Sequence, residues 1–411
     1  MRLIATSRPV CGAIVLVLIS VLLAGCAPTR HIEAARVLQD FAAGDANSQL
    51  KRGTALPVRQ TVSYRLSGRT HRADLYLPGS MVGCAAPRRF DAIKPGCPRA
   101  AIVVVPGAVP QGKDDARLVA FATTMARAGF AVLVPEIEGF RQLRIRPSDA
   151  RVIADAFAYL VSRPELAPHG HAGMLAFSYA VGPTLLAALQ DDIRQQVRFV
   201  VGIGGYYDLP RTMRFFTTGW YEQGGKWHYI APDDTGKMVL VYSGLDYLAA
   251  DQRAHDRSVF DRMVALRMRD PPADLTALAA ELSSAANTFY ALADNADPAR
   301  FARLYSNLPK PMRADLDQLD LAQHSLAPLK ARLILVHGRS DNLIPYVESV
   351  ALAAAAPAGQ AQTFLIHRGL GHVDLNISDT FSRQFWREDL PDMWRLWRVI
   401  DLLLAEREAA A

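Results

Sequence analysis

Short apolar runs alternate with longer amphipathic segments over much of this chain. The run Ala101–Val105 is continuously apolar and mostly β-branched, as expected for a strand that is buried on both faces. Further strands are predicted at Ala131–Pro135 and Val197–Ile203, and amphipathic helices at Asp115–Ala128 and Ser148–Ser162. Strands and helices that alternate at this spacing predict a parallel sheet with helices on both faces.

Two further regions complete the predicted sheet. Near the N-terminus, Thr61–Leu66 and Arg72–Leu77 alternate apolar and polar residues around Ser67-Gly68-Arg69, which predicts a β-hairpin. After a long interruption the alternation resumes with strands Leu329–Val336 and Gln362–His367 and helices Val347–Ala356 and Met393–Glu408. The predicted core domain therefore comprises residues 59–210 and 326–411.

The interruption, residues 211–325, has a different pattern. It is mostly helical in its periodicity, with helices predicted at Asp251–Arg269, Ala273–Ala293 and Pro298–Leu308, whereas Met238–Tyr242 fits a strand or a helix equally well. The sequence therefore predicts an α/β protein in which a mostly parallel sheet is flanked by helices. A large, mainly helical lid is inserted after the sixth strand.

The first residues carry a targeting signal. Arg2 and Arg8 precede an apolar run from Cys11 to Leu23 that is too short to favour a membrane span and is typical of a secretory signal. The run ends in Leu23-Ala24-Gly25-Cys26, which resembles the bacterial lipobox; the alternative is an ordinary signal peptide with a chance cysteine. We expect residues 1–25 to be a lipoprotein signal peptide, Cys26 the lipid attachment point, and residues 26–58 a tether with a helix near Ile32–Phe41.

These features place the mature protein at the bacterial cell envelope, on the periplasmic side, anchored by lipid rather than spanning the membrane. Ala27 after the cysteine favours the outer membrane. Since that compartment permits disulfides, we predict that Cys84 and Cys97 pair; a metal site at these cysteines is the weaker alternative, because further ligands at suitable spacing are missing. The net charge of +6 is spread along the chain, which argues against a nucleic-acid partner.

A serine follows one predicted strand at a sharp turn. The apolar run Met174–Phe177 leads into Ser178, and a helical pattern follows it. Small residues, Ala176 and Ala180, stand two positions before and after the serine, and such a strand–turn–helix arrangement exposes a nucleophilic hydroxyl. The alternative role of Ser178 is that of an ordinary helix N-cap.

An acid and a histidine follow two later strands. Asp341 comes shortly after the strand Arg332–Val336, and His372 lies in a glycine-containing loop after Gln362–His367. Because the carboxyl ends of parallel strands share one edge of the sheet, these side chains and Ser178 should meet there. Asp208, after the sixth strand, is an alternative acid whose other role is helix capping, and His337 is expected to be structural.

Taken together, the motifs Ala176-Phe177-Ser178-Tyr179-Ala180, His337-Gly338-Arg339-Ser340-Asp341 and Gly369-Leu370-Gly371-His372 resemble those of the α/β-hydrolase superfamily of serine esterases, lipases and dienelactone hydrolases. The resemblance covers the whole predicted core. It implies a catalytic triad in which His372 activates Ser178 and Asp341 orients His372. It implies no metal and no organic cofactor.

The resemblance also implies an oxyanion hole made of two backbone N–H groups. One is expected from Tyr179, and the other from the loop Pro106–Pro110, where Ala108 is favoured over Gly107. Many relatives carry His-Gly in this loop, whereas Pro106-Gly107 stands here.

An aromatic cluster begins at Tyr206 and Tyr207 and continues into the insertion. Tyr206 and Tyr207 are the best candidates for substrate contact, although the cluster could equally be the core of the insertion. We expect a serine hydrolase that cleaves small or lipid-like carboxylic esters through an acyl-enzyme. The alternatives are an acyltransferase or an amidase or peptidase with the same triad, or a non-catalytic binding lipoprotein.

Overall fold

A computed structural model describes residues 28–79, 97–270, 273–368, 370–371 and 389–409. Its centre is an eight-stranded sheet with the strand order β1-β2-β4-β3-β5-β6-β9-β10. The strands of this sheet are β1 (Val58–Leu66), β2 (Arg69–Leu77), β3 (Ala100–Val105), β4 (Phe130–Pro135), β5 (Ala172–Phe177), β6 (Val197–Ile203), β9 (Arg332–Gly338) and β10 (Ala361–Ile366). β2 runs antiparallel to both of its neighbours, β1 and β4, and the six strands from β4 to β10 in this order pair in parallel.

Helices cover both faces of this sheet and build most of the insertion. They are α1 (Pro28–Ala43), α2 (Gln49–Gly53), α3 (Ala116–Arg127), α4 (Glu138–Arg141), α5 (Asp149–Val161), α6 (Val181–Ala188), α7 (Leu209–Thr218), α8 (Thr235–Gly244), α9 (Ala250–Arg269), α10 (Thr276–Ala279), α11 (Ser284–Ala293), α12 (Phe301–Ser306), α13 (Lys310–Leu319), α14 (Val347–Ala355) and α15 (Leu390–Ala409). The predicted fold class, a mostly parallel sheet flanked by helices, is confirmed.

Each central strand is buried on both sides, and its alternate residues enter different hydrophobic clusters. In β3, Ala101, Val103 and Val105 pack into one cluster. Their neighbours Ile102 and Val104 pack into the second, which α1, α3 and α15 share. A strand in this position can be apolar at every residue, which explains why the run at 101–105 shows no alternation.

The structure shows elements of the insertion that the sequence analysis did not predict. Its aromatic-rich part contains a two-stranded antiparallel hairpin, β7 (Trp220–Gln223) and β8 (Lys226–Tyr229). Met238–Tyr242, whose pattern fitted a strand or a helix equally well, lies in helix α8. The single helix predicted over 273–293 is two helices, α10 and α11, because the chain leaves the helical conformation before Ser283, whose hydroxyl then caps α11 by accepting from the Ala286 N–H.

The N-terminal helix α1 begins at Pro28 and is fixed to α15. Asp401 accepts hydrogen bonds from Arg30 Nε at 2.9 Å, and it also lies 2.8 Å from His31 Nδ1. The buried Arg407 guanidinium pairs with Glu33. Among the described helices, none is both long enough and apolar enough to cross a bilayer. Residues 1–27 and Cys84 lie outside the described residues, so the signal peptide, the lipid on Cys26 and the Cys84–Cys97 disulfide stay predictions.

The first turn of α5 holds a buried carboxyl group, Asp149, which accepts a hydrogen bond from the Arg146 N–H at 2.9 Å. Burial raises the pKa of Asp149 to about 7. In the unfolded chain the pKa of an aspartate carboxyl group is near 4. The folded state therefore binds more protons than the unfolded state between about pH 4 and pH 7. As a result, Asp149 makes the folded protein less stable as the pH rises through that window.

We therefore expect Asp149→Asn to stabilise the protein at pH 8 by roughly 2–4 kcal/mol, and by less at pH 5. The amide keeps an oxygen for the Arg146 N–H but carries no charge to bury. Urea unfolding of both proteins at several pH values measures the difference. A difference that stays constant from pH 5 to pH 8 would contradict the shifted pKa.

Candidate active site

Ser178 stands at a strained turn between β5 and the helical segment that follows. Phe177 ends the strand in an extended conformation, whereas Ser178 has φ 56°, in the left-handed region that residues other than glycine rarely adopt. Such a conformation costs on the order of 1–3 kcal/mol and is kept only where the surroundings enforce it. The turn lifts the serine hydroxyl above the carboxyl edge of the sheet, which is the geometry of a nucleophile elbow.

The residues around this turn are small because there is no room for larger ones. Ala176 and Ala180 are fully buried. A Cβ atom on Gly182 would lie 2.1 Å from Tyr206 Oη, so only glycine fits there. Tyr206 is itself fixed, since its hydroxyl donates to the Leu319 carbonyl at 2.8 Å and its ring stacks on Tyr179. Alanine at positions 176 and 180 is therefore small enough for this turn.

The loop after β3 lies beside the serine. A Cβ atom built on Gly107 would stand 3.9 Å from Ser178 Cβ, and Ala108 is buried next to it. Both residues that the sequence analysis considers for the second oxyanion donor, Gly107 and Ala108, are in this loop. The loop lies beside Ser178, and the choice between the two residues stays a prediction.

A buried ion pair anchors the far end of this loop. Lys113 Nζ lies 3.0 Å from the buried carboxylate of Asp74 on β2, which also accepts from Arg59 Nε at 2.9 Å and from the Thr61 hydroxyl at 2.8 Å. Burial alone would raise the pKa of Asp74, but the three donors outweigh it and hold the pKa below its usual value. A charged carboxylate is thus stable in the interior, and it fixes the loop to the sheet.

Asp341 lies in the loop after β9 and is 1% exposed. Its Oδ1 accepts hydrogen bonds from the N–H groups of Leu343 and Ile344 at 2.8 and 2.9 Å. These two bonds hold the carboxylate in one orientation and leave Oδ2 for other partners. Asp341 is thus a buried carboxylate at the carboxyl edge of the parallel sheet, and its role as the acid stays a prediction.

The neighbouring histidine, His337, is fully buried and has a structural environment. Its Nε2 lies 2.9 Å from the Ile344 carbonyl, so it must carry the hydrogen, and its Nδ1 lies 2.7 Å from Ser349 Oγ. Nε2 is also 3.2 Å from Asp341 Oδ2. The His337 ring therefore lies against the carboxylate of Asp341, and both of its nitrogens have hydrogen-bond partners.

The alternative acid, Asp208, caps helix α7. Its carboxylate accepts from the Arg211 N–H at 2.7 Å, and its own N–H donates to Glu348 Oε2 at 2.9 Å. Glu348 is fully buried, and it also accepts from the Tyr207 N–H and pairs with Arg211. The carboxylate of Asp208 thus has the capping environment that the sequence offered as its other role.

A cavity of about 1200 Å³ lies above the carboxyl edge and reaches Ser178, Tyr179 and Ala108. Tyr206 lines it, whereas Tyr207 is not among its described lining residues. Of the residues expected at the site, His372 lies outside the described residues, and its position stays a prediction.

Comparison with known proteins identifies this architecture. No protein-family model matches the chain, and no curated protein matches it in sequence. A solved structure described as a hydrolase from Legionella pneumophila is similar, with a TM-score of 0.51 and 12% identity, covering 87% of this chain and 93% of that one. The chain has the α/β-hydrolase fold.

Two other similar structures differ in how much of them the chain covers. A puromycin-hydrolysing peptidase of Mycobacterium tuberculosis matches with a TM-score of 0.45 and 15% identity over 86% of this chain, which spans 39% of that protein. The esterase domain of a Rhodothermus marinus protein matches with a TM-score of 0.39 and 14% identity, over 86% of this chain and 99% of the domain. At such identities the similarity concerns the fold alone.

Two residues whose role the sequence analysis did not recognise contact the loop that leads to position 372. Asp392, in the first turn of α15, accepts from the N–H groups of His367 and Arg368 at 2.8–3.0 Å. A Cβ atom on Gly338 would lie 2.2 Å from the Leu370 carbonyl oxygen, so a glycine is required there. The glycine directly after His337 was the available signal for the second residue; no pattern pointed to Asp392.

Within the described part of the chain, no group of three or more histidine, cysteine, aspartate or glutamate residues is arranged to hold a metal ion.

Proposed function

We propose that this protein is a serine hydrolase that cleaves carboxylic esters through an acyl-enzyme, with Ser178 as nucleophile, His372 as base and Asp341 as the acid that orients it. The observation that carries the proposal is the left-handed backbone of Ser178 at the end of β5, facing a large cavity. Strain of this kind at a cavity wall is typical of a functional residue.

The proposed reaction has two halves. Ser178 Oγ attacks the ester carbonyl carbon while His372 takes the hydroxyl proton, and the N–H groups of Tyr179 and Ala108 hold the negative oxygen. The bond to the alcohol oxygen then breaks, and His372 gives that oxygen the proton. In the second half, water attacks the acyl-enzyme with the same base, releasing the carboxylic acid and restoring Ser178.

The described part of the loop supports the position of His372. Leu370 and Gly371 pack against Gly338, three residues before Asp341. The chain at Gly371 is therefore beside the strand end from which Asp341 projects, and consecutive Cα atoms are only about 3.8 Å apart. The described part of the loop thus ends beside the strand that leads to the buried acid, and this supports our proposal that the next residue, His372, is the base.

Labelling with a small fluorophosphonate probe tests the proposal, since such probes bond only to an activated serine. Wild-type protein and Ser243→Ala should both be labelled, and Ser178→Ala should not. Ser243 is the matched control because it lines the same cavity and its hydroxyl accepts a hydrogen bond from the Ile145 N–H at 3.1 Å. Unlabelled wild-type protein would disprove the hydrolase, leaving a ligand-binding protein.

We propose further that Cys26 carries lipid and holds the enzyme at the bacterial envelope. The support is the apolar segment ending in Leu23-Ala24-Gly25-Cys26. Cells grown with an alkyne-tagged fatty acid should give tagged protein, and Cys26→Ser should abolish the tag. Equal tagging of both forms would refute the anchor.

A further inference from the structure

The loop between β3 and α3 presents free backbone donors beside Ser178. The N–H groups of Gly107, Ala108 and Val109 have no acceptor in the described part of the chain. Such groups stabilise an oxyanion only if they already stand in the right place before the reaction starts. A displacement of about 1 Å can cost on the order of 100-fold in rate. The structure that holds this loop therefore bears on catalysis.

The backbone of the loop is fixed mainly at its far end. There the Gly112 N–H donates to the Val109 carbonyl at 2.9 Å, and Gly112 has φ 55°, which turns the chain sharply. Directly after this turn the side chain of Lys113 enters the protein and is 8% exposed. Its Nζ lies 3.0 Å from Oδ2 of Asp74, a fully buried residue of β2. The loop is thus joined to the sheet through one buried ion pair.

The carboxylate of Asp74 is a fixed point for this contact. It accepts from Arg59 Nε at 2.9 Å and from the Thr61 hydroxyl at 2.8 Å, and both of these residues belong to β1. Arg59 also pairs with Asp114, the residue after Lys113. Two adjacent residues of the loop are therefore bound to groups of the sheet.

Stability alone does not account for a buried pair at this position. Removing two charges from water costs much of what their attraction returns, and an apolar pair of the same size is often as stable. What the ion pair adds is a defined distance. An ammonium group bound to one carboxylate oxygen cannot shift along the sheet without losing that bond, whereas an apolar side chain can.

We infer that Lys113 and Asp74 are positioning residues that set the N–H groups of the loop against Ser178. When Ser178 Oγ bonds to the ester carbonyl carbon, its proton passes to His372 and the carbonyl electron pair moves onto the oxygen. The positioned N–H groups stabilise this charge, which is much smaller in the bound ester. The ion pair therefore acts on kcat rather than on KM. The inference rests on the proposed function, because it concerns the same serine.

Lys113→Met tests this inference, since it keeps the length of the side chain and removes the charge. Asp74 keeps its bonds from Arg59 and Thr61, so the variant should fold. On a short 4-nitrophenyl ester, kcat should fall on the order of 10- to 100-fold, somewhat less than the loss of one complete oxyanion donor. KM should stay nearly unchanged.

A pair of ketone inhibitors gives a readout that a merely structural role would not move. Ser178 Oγ adds to the carbonyl carbon of a trifluoromethyl ketone, its proton goes to His372, and the carbonyl oxygen becomes an oxyanion. The matching methyl ketone fills the same space and stays planar. In Lys113→Met the inhibition constant of the trifluoromethyl ketone should rise by the factor by which kcat/KM falls, and that of the methyl ketone should not change.

A second variant and a control complete the experiment. Asp74→Asn removes the charge from the other partner and leaves Lys113 beside Asp114 at 3.1 Å, so it should fold and show the same effects. The control is Asp155→Asn, because Asp155 Oδ2 lies 3.0 Å from His71 Nε2 in another buried pair that joins β2 to α5. Neither of these residues is among the described lining of the cavity, and kcat and both inhibition constants should stay at the wild-type values.

Fluorophosphonate labelling separates the two levels of failure. If Ser178 of the wild-type protein is not labelled, the proposed function is wrong. If Ser178 is labelled and a folded Lys113→Met or Asp74→Asn variant keeps the wild-type kcat, the positioning role is overturned. It is also overturned if both ketones weaken equally, or if Asp155→Asn produces the same losses, since the ion pair would then serve the fold in general.

Discussion

Replacing Ser178 with alanine should lower kcat for ester hydrolysis by on the order of 10⁶-fold, which is the effect of losing the nucleophile in serine hydrolases. The alanine cannot form the acyl-enzyme, so only general stabilisation by the cavity remains. The substitution is not expected to alter the fold, because alanine is no larger than serine. Initial rates on a short 4-nitrophenyl ester, with circular dichroism as a check of folding, measure the effect.

The control for this experiment is Ser243→Ala, in the same cavity wall. Its loss leaves the Ile145 N–H without its acceptor, which costs about 1–3 kcal/mol of stability, but the reaction should proceed at nearly the wild-type rate. If Ser178→Ala kept substantial activity while Ser243→Ala lost it, the nucleophile would be misassigned.

Asp341→Asn should lower kcat by about 10⁴-fold, because an amide no longer stabilises the imidazolium form of His372 and favours the wrong tautomer. The fold should tolerate the change, since the amide oxygen can still accept from Leu343 and Ile344. The pH dependence of kcat/KM, measured for both proteins, adds a second readout, since the apparent pKa of the base should fall when its carboxylate partner is lost.

Asp208→Asn is the matched comparison, as it makes the same chemical change at the other acid after a neighbouring strand. An asparagine caps a helix as well as an aspartate does, so this variant should keep both its activity and its pH profile. If instead Asp208→Asn lost activity and Asp341→Asn did not, the acid would be Asp208.

Much of the sheet could be predicted from sequence, because its strands are buried on both faces. β3 is apolar at every position, and β6 was predicted with the bounds that the structure gives it. The turn at Ser178 was predictable for a related reason, since a strand, a serine between small residues and a helix leave little conformational choice. The place of Asp341 beyond the carboxyl end of β9 could be predicted because an apolar strand precedes it, whereas its role as the acid stays a prediction.

The insertion was harder to predict because its structure depends on contacts that are distant in sequence. Trp220 and Tyr221 belong to a hairpin that Gly224 and Gly225 reverse, both at positive φ. Aromatic residues at this density do not by themselves distinguish strand from helix. The packing of α1 on α15 was equally hidden, because these two helices come from opposite ends of the chain.

The proposed lipid on Cys26 would hold the folded domain close to the membrane, because α1 is described from Pro28 onward and is fixed to α15. In the sequence only Ala27 lies between Cys26 and Pro28, and a residue spans at most about 3.6 Å. With lipid on Cys26, the domain would therefore lie against the bilayer. A hydrolase held in this way would meet esters of its own leaflet at a high local concentration, whereas dissolved esters would have to diffuse to it.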